Sequence, residues 1–275
     1  GFLSIPAPSP STGRENAGSV GDESLSSDKG LMFPFVKSKR DRPTWNPLVL
    51  YPCPHGCVYC WVPEVVNKFN IKRYKLASKP VVLESELRRS FSEGDLVFVC
   101  DMCDLLAEAI PQELIMRVFN RISDFPSAKF LILTKNPGRL YVLAVQGCVP
   151  RNCILGCTIE SNRNYPHFSH APSQTERIRY MQMLYEHNRF PLFWSAEPIF
   201  DFDLEPFTEE IMGVKPWGVA IGYDNHRKFL PEPPLEKTQR LIKRLRGSGL
   251  KVWEKTIRKS WQESEQKKME AVIGD

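Results

Sequence analysis

A repeated alternation of short apolar runs with amphipathic segments most constrains how this chain can fold. Apolar runs of strand length occur at 96–99, 130–133, 153–159, 192–194, 219–221 and 252–253. Helix-period segments lie between them: one with Leu83, Leu87 and Phe91 ending at Gly94, one from Pro111 to Ile122, 137–145, one with Ile178, Met181 and Tyr185, and one ending at Gly247. Strands without polar alternation are typical of a parallel sheet covered by helices. Six or seven such units in about 230 residues favour an α/β barrel or partial barrel over an open sheet.

Polar clusters follow five of these predicted strands. They are Cys100–Asp104, Thr134–Pro137, Thr158–Ser161, Ser195–Pro198 and Gly222–His226. The carboxyl ends of parallel strands meet at one edge of the sheet, where such folds carry their chemistry. The sequence therefore predicts a functional site built from these clusters.

A cysteine loop precedes the alternation. The apolar run Leu48–Leu50 predicts a buried strand, which breaks at Pro52, and Cys53, Cys57 and Cys60 follow with the spacing C-x3-C-x2-C. Three thiolates on one loop, with no fourth nearby, can hold an iron–sulfur cluster and leave one iron open. The alternative is a zinc knuckle, which would need His55 or a distant cysteine as its fourth ligand.

The cysteine spacing, with Tyr59 before the last cysteine, resembles the cluster loop of the radical S-adenosylmethionine (radical SAM) superfamily. The Asn46-Pro47 start and the run Pro54-His-Gly-Cys57 resemble the branch of that superfamily that contains spore photoproduct lyase. The resemblance implies a partial (β/α)6 barrel over roughly residues 44–255. It also implies a [4Fe-4S] cluster on Cys53, Cys57 and Cys60, with S-adenosyl-L-methionine as the second cofactor.

Four further motifs, in order, resemble a narrower group of phage- and archaea-associated radical-SAM-like proteins of unassigned substrate. They are Asp104 in a turn, Leu133-Thr-Lys135, Thr158-Ile-Glu160 and Glu197-Pro198. The activity implied is reductive cleavage of S-adenosylmethionine to a 5′-deoxyadenosyl radical that abstracts hydrogen from an unidentified substrate. The enzyme subclass, lyase or transferase, stays open. No flavin motif is visible, so an external reductant of the ferredoxin or flavodoxin type is implied.

The resemblance also implies roles for residues at the strand ends. Tyr59 would lie near the adenine, and Thr158, Glu160 and Ser161 would reach the ribose. The usual Gly-Gly-Glu is absent, so Asp101 or backbone carbonyls would contact the methionyl amine. Lys135 would pair with the methionyl carboxylate or would instead neutralise Glu160 or Asp104, and Glu197 belongs to the predicted cofactor contacts.

Two residues are expected on the substrate side. Cys103 could donate a hydrogen atom, as a cysteine does in spore photoproduct lyase, and Asp104 could contact the substrate. Cys100 and Cys103 could, with Cys157, bind a second cluster, but free cysteines commonly pack as small buried hydrophobes, which is the favoured reading.

Composition bounds the remaining expectations. Residues 1–30 are rich in Ser, Gly, Pro and Asp and predict a disordered tail before a domain over 31–275. We expect no membrane partner, because there is no apolar run of spanning length and no signal-peptide order in the first residues. Eight cysteines in a chain of 275 residues fit a reducing cytoplasm better than a disulfide framework.

Positive charge is concentrated near the end of the chain. The net charge is +5, and the basic C-terminal segment 236–259 holds nine Lys and Arg against two Glu. Such a segment can meet phosphate, but more often it is the solvated face of terminal helices. Nucleic acid is thus a possible partner. The alternatives to the radical enzyme of unknown substrate are nucleic-acid repair or modification of the spore photoproduct lyase kind, and a non-catalytic zinc or iron–sulfur module that binds nucleic acid.

Overall fold

The structure is a computed structural model that describes residues 35–36 and 44–265. The predicted tail over 1–30 lies outside the described residues. The strands are β1 (Thr44–Trp45), β2 (Leu48–Val49), β3 (Val81–Val82), β4 (Leu96–Val99), β5 (Lys129–Thr134), β6 (Cys153–Thr158), β7 (Leu192–Ala196), β8 (Gly218–Ile221) and β9 (Val252–Glu254). The helices are α1 (Val62–Lys68), α2 (Lys72–Lys75), α3 (Glu84–Leu87), α4 (Gln112–Ser123), α5 (Pro137–Val145), α6 (Gln174–His187), α7 (Leu204–Val214) and α8 (Leu235–Gly247).

Seven strands form one parallel sheet in the order β1-β4-β5-β6-β7-β8-β9. The order follows the chain without reversal, which distinguishes a singly wound, barrel-like sheet from a doubly wound open one. The edge strands β1 and β9 do not pair with each other, so the barrel is partial. The predicted fold class is therefore confirmed. None of the helices in the described part of the chain has the length and apolar character needed to cross a membrane.

The two faces of the sheet are covered differently. Alternate strand residues such as Val97, Phe130, Leu155 and Val219 pack with helix residues such as Phe119 in the main core. The residues between them point to the opposite, inner face, because side chains alternate along a strand. At its amino end this inner face is filled by Phe98, Leu131, Ile154, Phe193 and Ala220, against which Phe35, Trp217 and Trp253 pack. The carboxyl end of the inner face is where the polar residues lie.

Two predicted elements need correction. Leu48–Leu50 is buried, but Leu48–Val49 pairs antiparallel with Val81–Val82 instead of opening the barrel, whose first strand is Thr44–Trp45. The predicted helix over 83–91 is a single turn, Glu84–Leu87. Phe91 lies in the loop after this turn and is buried, with its ring centre 5.0 Å from that of Phe130. It is apolar because it packs on the sheet and not because it belongs to a helix face.

Three helices were missing from the sequence analysis: α1, α2 and α7. Helix α7 buries Leu204, Phe207, Thr208 and Ile211, which have the spacing of one helix face. Pro206 lies in its first turn, where the missing amide hydrogen costs nothing. The spacing of the apolar residues therefore predicts a helix, but Pro206 within that spacing is normally taken as a helix breaker.

Gly218 provides a test of inner-face packing. A Cβ at Gly218 would lie 2.0 Å from the Trp253 ring, so Gly218→Ala should force the indole out of place and destabilise the protein by about 1–3 kcal/mol. Urea unfolding measures this. Gly213→Ala, in helix α7 with no atom within 4 Å of the added carbon, is the matched control and should be neutral or slightly stabilising. Equal stability of the two variants would contradict the packing described.

Candidate functional site

The cysteine loop closes over the carboxyl end of the sheet. Cys53, Cys57 and Cys60 are all half-buried free thiols. Two turns shape the loop, with Gly56 N donating to Cys53 O and Cys60 N donating to Cys57 O. Burial raises the pKa of the Cys53 thiol to about 12 and also raises that of Cys60. The three sulfur atoms therefore belong to one short segment whose backbone is fixed.

A second loop, after β6, holds the cysteine loop in place. Val58 N donates to Phe168 O at 3.0 Å, and His170 N donates to His55 O at 2.7 Å. The Cys57 thiol lies 3.2 Å from the Ser169 hydroxyl. Gly56 has a φ of 53°, which favours glycine, and a Cβ there would lie 3.1 Å from the His170 ring. The two loops are thus in close backbone contact.

Asp104 joins three loops. One of its carboxylate oxygens accepts from Thr134 Oγ1 at 2.7 Å, and the other accepts from Lys135 N at 2.7 Å. His55 Nε2 lies 2.9 Å from the second oxygen. Burial would raise the pKa of this carboxyl, but His55 and the hydrogen bonds from Lys135 and Thr134 lower it below its usual value. Asp104 therefore connects the cysteine loop to the ends of β4 and β5, and its predicted substrate contact stays a prediction.

Glu160 sits at the centre of a buried polar network. Its carboxylate forms an ion pair with Arg177 at 2.9 Å, accepts from Gln174 at 3.3 Å and accepts from the Tyr59 hydroxyl. Burial would raise the pKa of Glu160, but Arg177 and Lys135 lower it below its usual value. Both oxygens are occupied by the protein's own donors. The ribose contact predicted for Glu160 stays a prediction, and the observed contacts describe a structural role.

Lys135 presents an ammonium group to the space under the cysteine loop. Its Nζ lies 5.3 Å from the centre of the Tyr59 ring, and no hydrogen bond or ion pair of this atom occurs among the residues described. Burial would lower the pKa of Lys135, but nearby Cys57 and Glu160 outweigh burial and raise it. The alternative prediction, an ion pair of Lys135 with Glu160 or Asp104, is not observed. The ammonium is placed to receive an anionic group.

Thr158, Ser195 and Glu197 continue the site across the inner face of the sheet. Thr158 is in register with Ser195, and both are buried with side-chain hydroxyls that bond to no described residue. Glu197 lies two residues beyond Ser195 on the same face. Its carboxyl also has no hydrogen-bond donor in the described part of the chain, and burial raises its pKa to about 7 against the opposing charges of Lys255 and Lys135.

Gly222 makes room for the side chains of Glu197 and Lys255. A Cβ at Gly222 would lie 2.8 Å from Lys255 Cβ and 3.5 Å from Glu197 Oε1. Burial lowers the pKa of Lys255, partly offset by Glu197. The ends of β7, β8 and β9 thus bring a carboxyl and an ammonium group together around a residue without a side chain.

The other predicted residues are mostly engaged with the protein. Asp101 accepts from Asn46 Nδ2 at 2.5 Å, and the Ser161 hydroxyl donates to Asp201 O at 2.6 Å. Cys103 is buried beside Cys100, with its sulfur 3.4 Å from Leu48 O, and its hydrogen-atom donor role stays a prediction. Cys153 and Cys157 are also buried, in the core between sheet and helices, which agrees with the packing expected for them.

Part of the positive charge of the basic C-terminal segment is paired with carboxylates. Within it, Lys237 binds Asp201, Arg244 binds Glu205, Arg246 binds Glu254 and Arg258 binds Glu232. Four of its nine cations are therefore neutralised locally. This favours the solvated helix face over a phosphate-binding surface.

Sequence reasoning missed Arg177, Ser195 and Lys255 as individual site residues. Ser195 and Lys255 could have been found by extending the two-residue strand period past the apolar runs. Arg177 gave a weaker signal, since a lone arginine beside Ile178 on an amphipathic helix normally faces solvent.

Across the described residues, no three His, Cys, Asp or Glu side chains converge as ligands to a single metal ion do. In a [4Fe-4S] cluster each cysteine binds a different iron, so three ligands on one loop need not converge on one point. Three thiols on one loop fit a cluster that leaves one iron open.

The seven parallel strands in chain order define the class of fold, a partial (β/α) barrel, and the cysteine loop lies at the carboxyl end of its strands. The chain belongs to the family described as "Protein of unknown function (DUF5131)", whose model matches residues 39–209. A search of curated proteins gives no match.

Solved structures with a similar fold include spore photoproduct lyase and SuiB. A spore photoproduct lyase variant with bound AdoMet and dinucleoside spore photoproduct is 12% identical, covers 77% of this chain and has a TM-score of 0.47. Streptococcus suis SuiB bound to S-adenosylmethionine is 10% identical, covers 78% of this chain and has a TM-score of 0.48. This chain spans 64% of the first protein's length and 50% of the second's. The branch named from the motifs is thus among the matches, but the likeness is too distant to transfer an activity.

The Glu160–Arg177 pair provides a second test. Glu160→Gln should lower the free energy of unfolding by about 3–5 kcal/mol, because it leaves the Arg177 charge buried without its counter-charge. Glu205→Gln removes the partner of Arg244 on the surface and should leave the urea midpoint near that of the parent protein. If Glu160→Gln is as stable as Glu205→Gln, the ion pair is not structural.

Proposed function

We propose that this protein is a radical SAM enzyme whose cluster is held by Cys53, Cys57 and Cys60. The observation that carries the proposal is the placement of three thiols on one loop over the polar end of a parallel sheet. The loop lies beside Lys135, whose ammonium group has no ion-pair partner among the described side chains. Three thiolates on one loop suit a [4Fe-4S] cluster with one iron open to a further ligand.

When bound, the cluster would pass one electron from an external reductant to S-adenosylmethionine, whose cleavage gives methionine and a 5′-deoxyadenosyl radical. The protein supplies binding, orientation and a dry site. Cys53, Cys57 and Cys60 would each hold one iron of this cluster. Asp104 holds the cysteine loop in position through the His55 side chain, and the 165–170 loop holds it through the backbone contacts described above.

Lys135 fits the role of anchor for the methionyl carboxylate. Its charge is close enough to Cys57 and Cys60 to affect their electrostatics, which supports a position beside the proposed cluster. An ammonium group that already had a protein partner could not take this role without breaking that pair. The Lys135 ammonium lies over the Tyr59 ring and has no hydrogen bond or ion pair with a described residue.

Thr158, Ser195 and Glu197 supply the remaining free hydrogen-bonding groups. The two hydroxyls can donate and accept, and Glu197 with a pKa of about 7 can do either near neutral pH. These residues suit the hydroxyl and amine groups of a cofactor or a polar substrate. Among the predicted cofactor contacts, Thr158 and Glu197 are better placed for this than Glu160, Ser161 and Asp101, whose side chains already have protein partners.

An aromatic wall closes one side of the site. Tyr59 packs with Phe200, and Phe168 and Tyr165 pack on the same ring. Apolar walls exclude water, which protects a reactive intermediate from side reactions. Because no flavin motif is present, an external one-electron donor of the ferredoxin or flavodoxin type completes the proposal.

The cluster ligands can be tested by reconstitution. Anaerobic incubation with iron and sulfide should give about four irons per chain and visible absorption. Replacing Cys53, Cys57 and Cys60 together by Ala should abolish both, while Cys148→Ala, a half-buried cysteine outside the loop, should change neither.

Activity is the second readout of the same samples. With S-adenosylmethionine and dithionite, the reconstituted parent protein and Cys148→Ala should form 5′-deoxyadenosine, and the triple variant should not. Four irons retained by the triple variant would place the cluster elsewhere. A stable cluster without 5′-deoxyadenosine would contradict the enzymatic proposal and favour a non-catalytic cluster protein.

The Lys135 anchor predicts a defect in cofactor affinity alone. Lys135→Met should weaken S-adenosylmethionine binding by about tenfold to a hundredfold, because a hydrogen bond to a charged group is lost. Iron content should not change. Lys129→Met, at the exposed opposite end of β5, removes the same charge and should bind normally. Calorimetric titration of both reconstituted variants measures this, and equal affinities would remove Lys135 from the cofactor site.

A further inference from the structure

A short helical hairpin follows directly after the cysteine loop. Its helices α1 and α2 bury Val62, Val66 and Tyr74 against Val49 of the small sheet. Cys60 and Trp61 pack against this same cluster. The chain is held between the helices by Ile71 N donating to Val66 O at 3.0 Å. The hairpin is therefore anchored from beneath and adjoins the candidate site.

The opposite side of the hairpin is basic. Its exposed cations, together with exposed Phe69 and Leu76, are here called the hairpin surface: Lys68, Lys72, Arg73, Lys75 and Lys79. None of these five cations has an ion-pair partner among the residues that the structure describes. The one acidic residue of the hairpin, Glu64, is already bound by Lys228 and His226.

The basic C-terminal segment differs from the hairpin surface in that part of its positive charge is neutralised. There, Lys237, Arg244 and Arg246 each bind a carboxylate. On the hairpin, the positive charge stays uncompensated, and uncompensated cations clustered on one surface attract polyanions.

Exposed apolar side chains lie among these cations. Phe69 is 64% exposed and Leu76 is 79% exposed. The Lys68 ammonium lies 5.4 Å from the centre of the Phe69 ring. An aromatic ring beside cations is the arrangement on which single-stranded nucleic acids bind, since bases stack on the ring while cations bind phosphates. A duplex, whose bases are already stacked, gains nothing from the exposed ring.

We propose that the hairpin surface binds single-stranded nucleic acid, with Lys68, Lys72, Arg73 and Lys75 at the phosphates and Phe69 stacked on a base. The charge complementarity and the exposed ring carry this assignment. It does not depend on the cluster, and binding is expected with or without iron.

The experiment uses the full chain and a short fluorescein-labelled single-stranded oligonucleotide, in DNA and RNA forms, followed by fluorescence anisotropy. Lys68→Gln, Lys72→Gln and Lys75→Gln are combined in one variant. The matched control combines Arg240→Gln, Lys243→Gln and Lys251→Gln, three exposed cations that also have no ion pair within the described region. Both variants lose three charges, so net charge alone cannot separate them.

The hairpin variant should bind at least tenfold more weakly, and its plot of log affinity against log salt should flatten by about 2 units of slope. The control variant should bind nearly as the parent does. Phe69→Ala should weaken single-strand binding on the order of tenfold with the salt slope unchanged, because stacking is not ionic. Circular dichroism and urea unfolding confirm that all three variants are folded.

Several results would overturn the proposal. They are equal losses in the hairpin and control variants, no binding of either strand at low salt, tighter binding of the matching duplex, or preferential binding to vesicles containing phosphatidylserine. Failure of the cluster or of 5′-deoxyadenosine formation would leave these binding results unaffected, so the two proposals fail separately.

Discussion

The buried carboxylate of Glu160 is the interaction on which the site depends most. It lies at the end of β6 and binds Arg177 and Gln174 of α6 and Tyr59 of the cysteine loop. Burying a carboxylate destabilises a protein unless the charge is paired and hydrogen-bonded. Here the Arg177 charge and the hydrogen bonds from Gln174 and Tyr59 offset the loss of hydration. One charge thereby fixes a strand end, a helix and the loop that carries the thiols.

Asp104 fixes the other side of the cysteine loop. Its carboxylate accepts hydrogen bonds from Thr134 Oγ1 and Lys135 N at the end of β5. It also contacts the ring of His55, which lies between the first two cysteines. The cysteine loop is thus held by carboxylates on two sides and by backbone contacts with the 165–170 loop. Thiols held in this way are positioned before any metal binds, which lowers the ordering cost of binding.

Two kinds of polar residue follow from this arrangement. Glu160, Asp104, Asp101 and Ser161 are satisfied by the protein and build the site. Lys135, Thr158, Ser195 and Glu197 keep hydrogen-bonding capacity free of described partners and face the same inner end of the sheet. Chemistry directed at a ligand is expected from the second group, because a satisfied buried group must first lose its partners.

The sequence by itself determined the parallel architecture, six of the seven sheet strands and the positions of the polar clusters. These follow from local periodicity, since continuous apolar runs and helix-period stretches need no distant information. The cysteine spacing also identified the candidate ligands. The short strands β1 and β3 were out of reach, because two residues carry no periodicity and their pairing is made by distant segments.

Only the tertiary structure decided which polar residues are free. Glu160 and Lys135 both follow apolar strands, and nothing in their neighbours shows that Arg177, 17 residues further on, would take the carboxylate and leave the ammonium unpaired. The same holds for basic segments: 236–259 has more cations than the α1–α2 hairpin, but some of them bind carboxylates from elsewhere in the fold, such as Asp201 and Glu205. The sequence gives the number and order of the charged side chains. Which of them form ion pairs depends on the side chains that the folded backbone brings within bonding distance.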